Sequence, residues 1–343
     1  MVIANKTRLK GIDLCSKFYN QVVKDIVTPI APDHAACLVG HGSEVLGFDT
    51  LMSEDHEWHA RCFIFIDGHE NNTDLIESVN SALDKKLPST FDNYDTEVVV
   101  RSARALYKRE LGFDVYDMTE IDWLNTTSQI FRELTTGAVF KESKELSFLR
   151  DKLSFYPHDI WLYILSVQWK RIWQEMAFMG RCGDLGDDIG STLVCSRLFS
   201  YIMRLCFLYE RQYAPYWKWF GTAFSKLQCS SRLTPIIESG LRANNWLDRQ
   251  KYLSQAYIIL GDIHNEARLT ASIEPIISNH YGRPFMVPDA LKYEAVLLAE
   301  ITDETVKNLP KGIGNVDQIS DNTNFLGRHQ TRQSVKSVWD VVN

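Results

Sequence analysis

No C-x-x-C pair occurs anywhere in the 343-residue sequence. That spacing is the usual start of a structural zinc site, so none is expected. The seven cysteines are odd in number and scattered. Most fall in apolar periodic segments, where a free thiol acts as a small hydrophobe. Free thiols point to a reducing, cytoplasmic setting. Positive charge is also in deficit, with a formal net charge of -7. A nonspecific duplex binder needs a basic footprint, so no DNA partner is expected. A small anionic substrate, or a local RNA site in a basic cleft, stays compatible with that balance. Long apolar runs are missing too. Stretches such as Ile160 to Val167 fall well short of the roughly 20 residues a membrane span needs, so no membrane partner is expected. The opening MVIANKTRLKGIDL lacks the apolar segment of a signal peptide. There is no tandem repeat and no low-complexity tract.

The composition that remains is globular, with 45% hydrophobic and 24% charged residues. Residues 9–27 carry apolar side chains at helical spacing, and Pro29 and Pro32 end the pattern. Ala35 to Val39 reads as a buried strand, and His59 to Ile66 as a second, with Asp67-Gly68 as its turn. Thr73 to Lys85 reads as a helix, and β-branched Thr96 to Val100 as a third strand. From Ser128 onward the period is helical, apart from a polar stretch at 139–151. Long helices are expected over His158–Met179, Asp188–Tyr209, Trp217–Leu227, Leu233–Leu241, Trp246–Ala267 and Pro288–Leu298. The fold class is therefore α+β: a mixed sheet with helices over residues 1–120, then a mainly α-helical bundle over 121–310. A polar segment follows over 311–343, wrapped back or loosely ordered.

The strand at Ala35 runs into a turn at His41-Gly42-Ser43. Asp55 and Glu57 then stand two apart before the next strand. Alternation along an extended chain puts both carboxylates on one side. Two such groups repel unless a cation compensates. Mg²⁺ takes oxygen ligands, few from protein and the rest from phosphate and water. Gly42 lets the backbone approach a phosphate closely, and Ser43 adds a hydroxyl. The parts suit metal-assisted transfer of a nucleotidyl group. The same pattern also occurs as ordinary surface chemistry, with an Asp-x-Glu pair at a strand edge. His41, His56 and His59 crowd this stretch. With no cysteine to close a zinc site, they are expected to shape a polar pocket.

The Gly-Ser turn followed by Asp-x-Glu resembles the nucleotidyltransferase superfamily of the DNA polymerase beta type. More of the chain is similar to the uncharacterised family DUF4037. The matching stretches are Gly42 to Asp49, Ser53 to Trp58, Trp169 to Arg181, Ala214 to Gly221, His264-Asn265 and Arg283 to Phe285. The resemblance implies a nucleotidyltransferase-type sheet domain followed by a helical substrate domain, as in aminoglycoside nucleotidyltransferases. It further implies Mg²⁺ as cofactor, an NTP such as ATP as co-substrate, and a small-molecule acceptor. Superfamily members often carry a third acid on the third strand, and Glu97 is the candidate here. It would join Asp55 and Glu57 at the metal.

In the helical half, Glu175 is either a general base toward an acceptor hydroxyl, as the resemblance implies, or the partner of Arg171 one turn away. Lys218 stands among aromatic residues and needs a polar destination, either triphosphate or solvent. Arg181, His264 and Arg283 complete the candidate nucleotide contacts. Their plain alternatives are solvated faces and a satisfied core histidine. Two further functions fit the same residues: a noncatalytic nucleotide sensor, and transfer to a protein or tRNA acceptor.

Overall fold

The computed structural model describes residues 9–55, 58–68 and 72–340, the side chains of Glu54 and Asp55 excepted. It divides into two compact units, Met1–Met118 with Gln129–Ser154, and Thr119–Ser128 with Phe155–Asn343.

The first unit is an α+β layer. Helix α1 (Gly11–Phe18) widens into a π turn at Tyr19–Val23 before α2 (Lys24–Val27). The widened turn keeps Tyr19 and Val23 on the buried side with Leu14 and Phe18. Strand β1 (Ala35–Leu38) is wholly buried and lies inside the sheet, between two others. Strand β2 (Ala60–Phe65), helix α3 (Thr73–Lys86), the short β3 (Thr90–Phe91) and β4 (Tyr94–Arg101) follow. Then come α4 (Ala103–Leu111) and, after α5 (Glu120–Asn125), which belongs to the second unit, α6 (Ser128–Thr135), β5 (Ala138–Lys141) and α7 (Lys144–Lys152). The sheet order is β3-β4-β2-β1-β5. β2 runs antiparallel to β1 and parallel to β4, with α3 in the crossover, as a parallel connection requires. Alternation along β2 splits its side chains. Ala60, Cys62 and Ile64 join the core under α1 and α3, whereas Arg61 and Phe63 face the opposite side, half-buried.

One local stretch differs from the sequence pattern. The polar stretch at 139–151 holds an edge strand and a helix, and β5 pairs antiparallel with β1. Four mixed residues are too few to show a period, so only tertiary pairing reveals this strand. The Asp67 carboxylate accepts a hydrogen bond from the Ser143 hydroxyl at 2.6 Å, tying the start of α7 to the turn after β2.

The second unit is helical. It contains α8 (His158–Glu175), α9 (Phe178–Asp184), α10 (Asp188–Tyr209), α11 (Trp217–Phe224), α12 (Ser230–Leu241) and α13 (Trp246–Ala267). A two-stranded hairpin, β6 (Ile277–Asn279) and β7 (Met286–Pro288), precedes α14 (Ala290–Ala299). The expected single helix over His158–Met179 is two helices, broken at Met176-Ala177. Trp169 anchors the interior: its ring stacks on Tyr293 at 4.0 Å, and its indole N–H donates to the Tyr209 hydroxyl at 2.7 Å. By length and composition α10 is apolar enough to cross a membrane, which the shorter apolar runs do not suggest. It packs against α8, α9, α12 and α13 as a core helix of the bundle. The polar tail after Pro310 packs onto this unit. Arg332 is buried and donates to the Asn125 carbonyl at 3.0 Å, and the Trp339 indole donates to the Gly314 carbonyl at 2.7 Å. All seven cysteines are free, and all but Cys182 are buried.

Candidate functional site

A cavity of about 330 Å³ opens in the first unit, on the sheet face away from α1 and α3. The segment just after β1 contributes Val39, Gly40 and His41, His59 stands just before β2, and β2 contributes Arg61 and Phe63. Glu97 reaches it from β4, directly opposite Arg61 in the parallel register. Arg109 and Glu110 of α4 close one side.

The turn after β1 borders this cavity, and its backbone explains its residues. Gly42 has φ 130, a conformation side chains avoid. A Cβ there would lie 2.4 Å from Glu44 Oε1 and 2.6 Å from an Arg61 nitrogen. From Gly42 the chain closes one tight turn: Leu46 N–H donates to the Gly42 carbonyl at 3.3 Å and Phe48 N–H to the Ser43 carbonyl at 2.8 Å. Beneath it the Arg61 guanidinium donates both to the Glu44 carboxylate and to the His41 carbonyl. Glu44 is buried, so this ion pair fixes the turn from inside rather than presenting a free cation to a ligand.

His41 is pinned from both sides. The Gly40 N–H before it donates to the Glu133 carbonyl at 2.9 Å. Its ring Nδ1 lies 3.1 Å from Glu133 Oε2, and Nε2 lies 3.9 Å from Glu110 Oε2. Gln129, one turn earlier on α6, donates to the other Glu133 oxygen at 2.7 Å. The hydrogen bond to the Glu133 carboxylate raises the His41 pKa against an opposing desolvation effect, with Glu110 adding to the rise.

The structure brings Glu97 to a cavity that is also lined by Gly40 and His41, the residues just before Gly42-Ser43. Asp55 ends a 3-10 turn at Leu51–Asp55; its side chain, and all of His56 and Glu57, lie outside the described residues. Among the described residues no group of three or more His, Cys, Asp or Glu side chains is arranged around a metal. Mg²⁺ needs only one or two carboxylates when phosphate supplies the rest, so Glu97 beside the cavity suits the donor chemistry.

The other expected residues lie in the second unit. Glu175 does not pair with Arg171. It bonds Arg197 at 3.1 Å and accepts from the Tyr201 hydroxyl at 3.3 Å, while Arg171 donates to that same hydroxyl at 3.2 Å. Lys218 is exposed on α11, its ammonium 5.0 Å from the Trp219 ring, so its polar destination is solvent. His264 is buried. Nδ1 bonds the Tyr209 hydroxyl and Nε2 the Thr270 hydroxyl, both at 2.9 Å, which leaves neither nitrogen for a ligand. Burial lowers its pKa to about 4. Arg181 and Arg283 are exposed and lie near each other around His280, whose pKa falls through burial and then through these two charges.

Sequence reasoning passed over Arg61, Arg109, Glu110, Glu133 and Gln129. Period-two continuation from His59 signals Arg61. Nothing local marks the α4 and α6 residues, which reach the cavity only through tertiary packing.

A family model described as a domain of unknown function, DUF4037, matches residues 123–220. That match takes in Trp169 to Arg181 and nearly all of Ala214 to Gly221, and it lies outside the Gly42 turn. The chain is also similar to a solved nucleotidyltransferase-like protein from Exiguobacterium sibiricum 255-15, at 11% identity. That likeness covers 73% of this chain and 75% of the other, with a TM-score of 0.33. No curated protein matches.

Proposed function

We propose that this protein is a cytoplasmic Mg²⁺-dependent nucleotidyltransferase. It moves a nucleoside monophosphate from an NTP, ATP in the first instance, to a hydroxyl or phosphate of a small molecule. One observation carries the reading: His41, the residue before the Gly42-Ser43 turn, and Glu97 line one cavity together with Arg61 and Phe63 of β2. His59 lines it just before β2, and Glu57 and Asp55 stand two and four residues earlier in the sequence. The turn would take phosphate oxygens on its backbone N–H groups and on the Ser43 hydroxyl. Asp55, Glu57 and Glu97 would hold Mg²⁺, which when bound neutralises the phosphates.

The charge balance supports a cation in the site. Arg61 is matched by Glu44, and Arg109 by Glu110. Glu97 and Glu133 remain beside the cavity, with His41 against Glu133. A bare triphosphate is repelled by that field, and its Mg²⁺ complex much less so. Positioning and charge neutralisation then supply most of the catalysis.

Pyrophosphate release from ATP·Mg²⁺, with pools of sugars, amino alcohols and phosphorylated metabolites as acceptors, tests the reading. Release that depends on one pool, and vanishes in Asp55→Ala/Glu57→Ala, supports it. Binding of ATP·Mg²⁺ without release from any pool would leave a nucleotide sensor instead. Release only with tRNA or protein added would move the acceptor to a macromolecule.

A further inference from the structure

We propose that His41 is the general base of the transfer, oriented by Glu133 and Gln129 as positioning residues. The inference rests on the nucleotidyltransferase reading and adds the proton acceptor that reading lacks. Nucleophilic attack by a hydroxyl needs a base within reach of its proton, held in one tautomer by a second group. His41 stands immediately before Gly42-Ser43, the turn assigned to phosphate, and lines the same cavity. Its side chain is 74% exposed, so an incoming acceptor can reach it.

The tautomer follows from the contacts. Glu133 accepts at 3.1 Å from Nδ1, which leaves the Nε2 lone pair in the cavity. Glu133 is itself held, because Gln129 donates to its other oxygen at 2.7 Å. Glu110, 3.9 Å from Nε2, is too far to block it, yet near enough to stabilise the imidazolium once formed. Such a three-part chain of base, carboxylate and amide orients a ring as a triad does.

The step balances as follows. The acceptor hydroxyl gives its proton to Nε2 as its oxygen bonds the α-phosphorus. The bond from that phosphorus to the oxygen bridging the β-phosphorus breaks, and its electron pair leaves with pyrophosphate. His41 then returns the proton to solvent. The groups around the ring are Glu133 on α6, Arg109 and Glu110 on α4, His59 just before β2, Arg61 on β2, and Glu97 on β4. Glu133 and Glu110 raise the His41 pKa, and Arg61 opposes them. The base is therefore active only on the alkaline side of an elevated histidine pKa, and the rate rises with pH through that value.

The test uses the full chain, ATP with Mg²⁺, and the same acceptor pools, with pyrophosphate release followed from acid to alkaline pH. His41→Asn is expected to keep ATP·Mg²⁺ affinity within about twofold, to lower release about 10²–10⁴-fold, and to lose the ascending limb. Glu133→Gln moves that limb to lower pH. In the wild-type protein, imidazole ¹⁵N spectra above the pKa show the Nδ1-protonated tautomer, a readout that survives if a variant fails to fold. Retention of both rate and limb in His41→Asn, with wild type active, would overturn the base assignment alone. So would an Nε2-protonated ring. Wild-type binding without release overturns the transfer reading and this step together.

Discussion

Gly42→Ala probes the turn on which the site depends. Placing alanine at φ 130 costs about 1–3 kcal/mol in backbone strain. The added methyl also meets Glu44 Oε1 at 2.4 Å and an Arg61 nitrogen at 2.6 Å. Both belong to an ion pair whose side chains are only 9% and 15% exposed. Separating such a pair costs up to about 3–5 kcal/mol when the partners stay dry. Side-chain ends can yield, so the collision should add about 1–2 kcal/mol rather than that full amount. Gly40 supplies the control. It has φ 91, and a Cβ there meets nothing within 4 Å. Gly40→Ala therefore carries the strain without the collision. Urea denaturation of both variants, read by circular dichroism, should show Gly42→Ala less stable than Gly40→Ala by about 1–2 kcal/mol. Equal losses, or a larger loss at Gly40, would refute the claim that Gly42 is required by the buried pair beneath it.

Other outcomes follow from buried groups. His264 has a folded pKa of about 4, below its unfolded value. Its contribution is therefore complete above the unfolded value and lost as pH falls toward 4. The loss should reach about 3 kcal/mol. His264→Gln should flatten the dependence of the urea midpoint between pH 7 and 4, and an unchanged slope would contradict the assignment. The cysteines give a second check. Burial raises Cys15 to about 11 and Cys37 and Cys195 to about 12. A thiol reagent at pH 8 should label one site quickly in the native protein, and Cys182→Ser should abolish that phase. Two or more fast sites would show the core to be more open than described.

Much of the fold was legible because its signals are local. Helices at Asp188–Tyr209 and Trp246–Ala267 announce themselves by period and length, and the structure keeps both spans. β5 was hidden because a four-residue edge strand has no period of its own. The site divides in the same way. Gly42, Ser43 and Glu97 lie on or beside predicted strands, where alternation fixes their side. Glu110 and Glu133 sit on helices distant in sequence, and only the packing of α4 and α6 against the sheet brings them to His41. The histidine at 264 shows the reverse. Its neighbours Tyr209 and Thr270 turn a residue type suited to ligands into a core group. Lys218 lies among aromatics in the sequence but stands on an exposed helix face.

Calorimetric titration of ATP into the wild-type chain, with and without Mg²⁺, tests the central claim most directly. Asp55→Ala/Glu57→Ala and Glu97→Gln serve as comparisons. The account predicts that ATP binds at least about tenfold more tightly with Mg²⁺ than without, a difference of about 1.4 kcal/mol. It also predicts that the gain is lost in the double variant and reduced in Glu97→Gln. Binding of equal strength in all three proteins, with or without the metal, would contradict it.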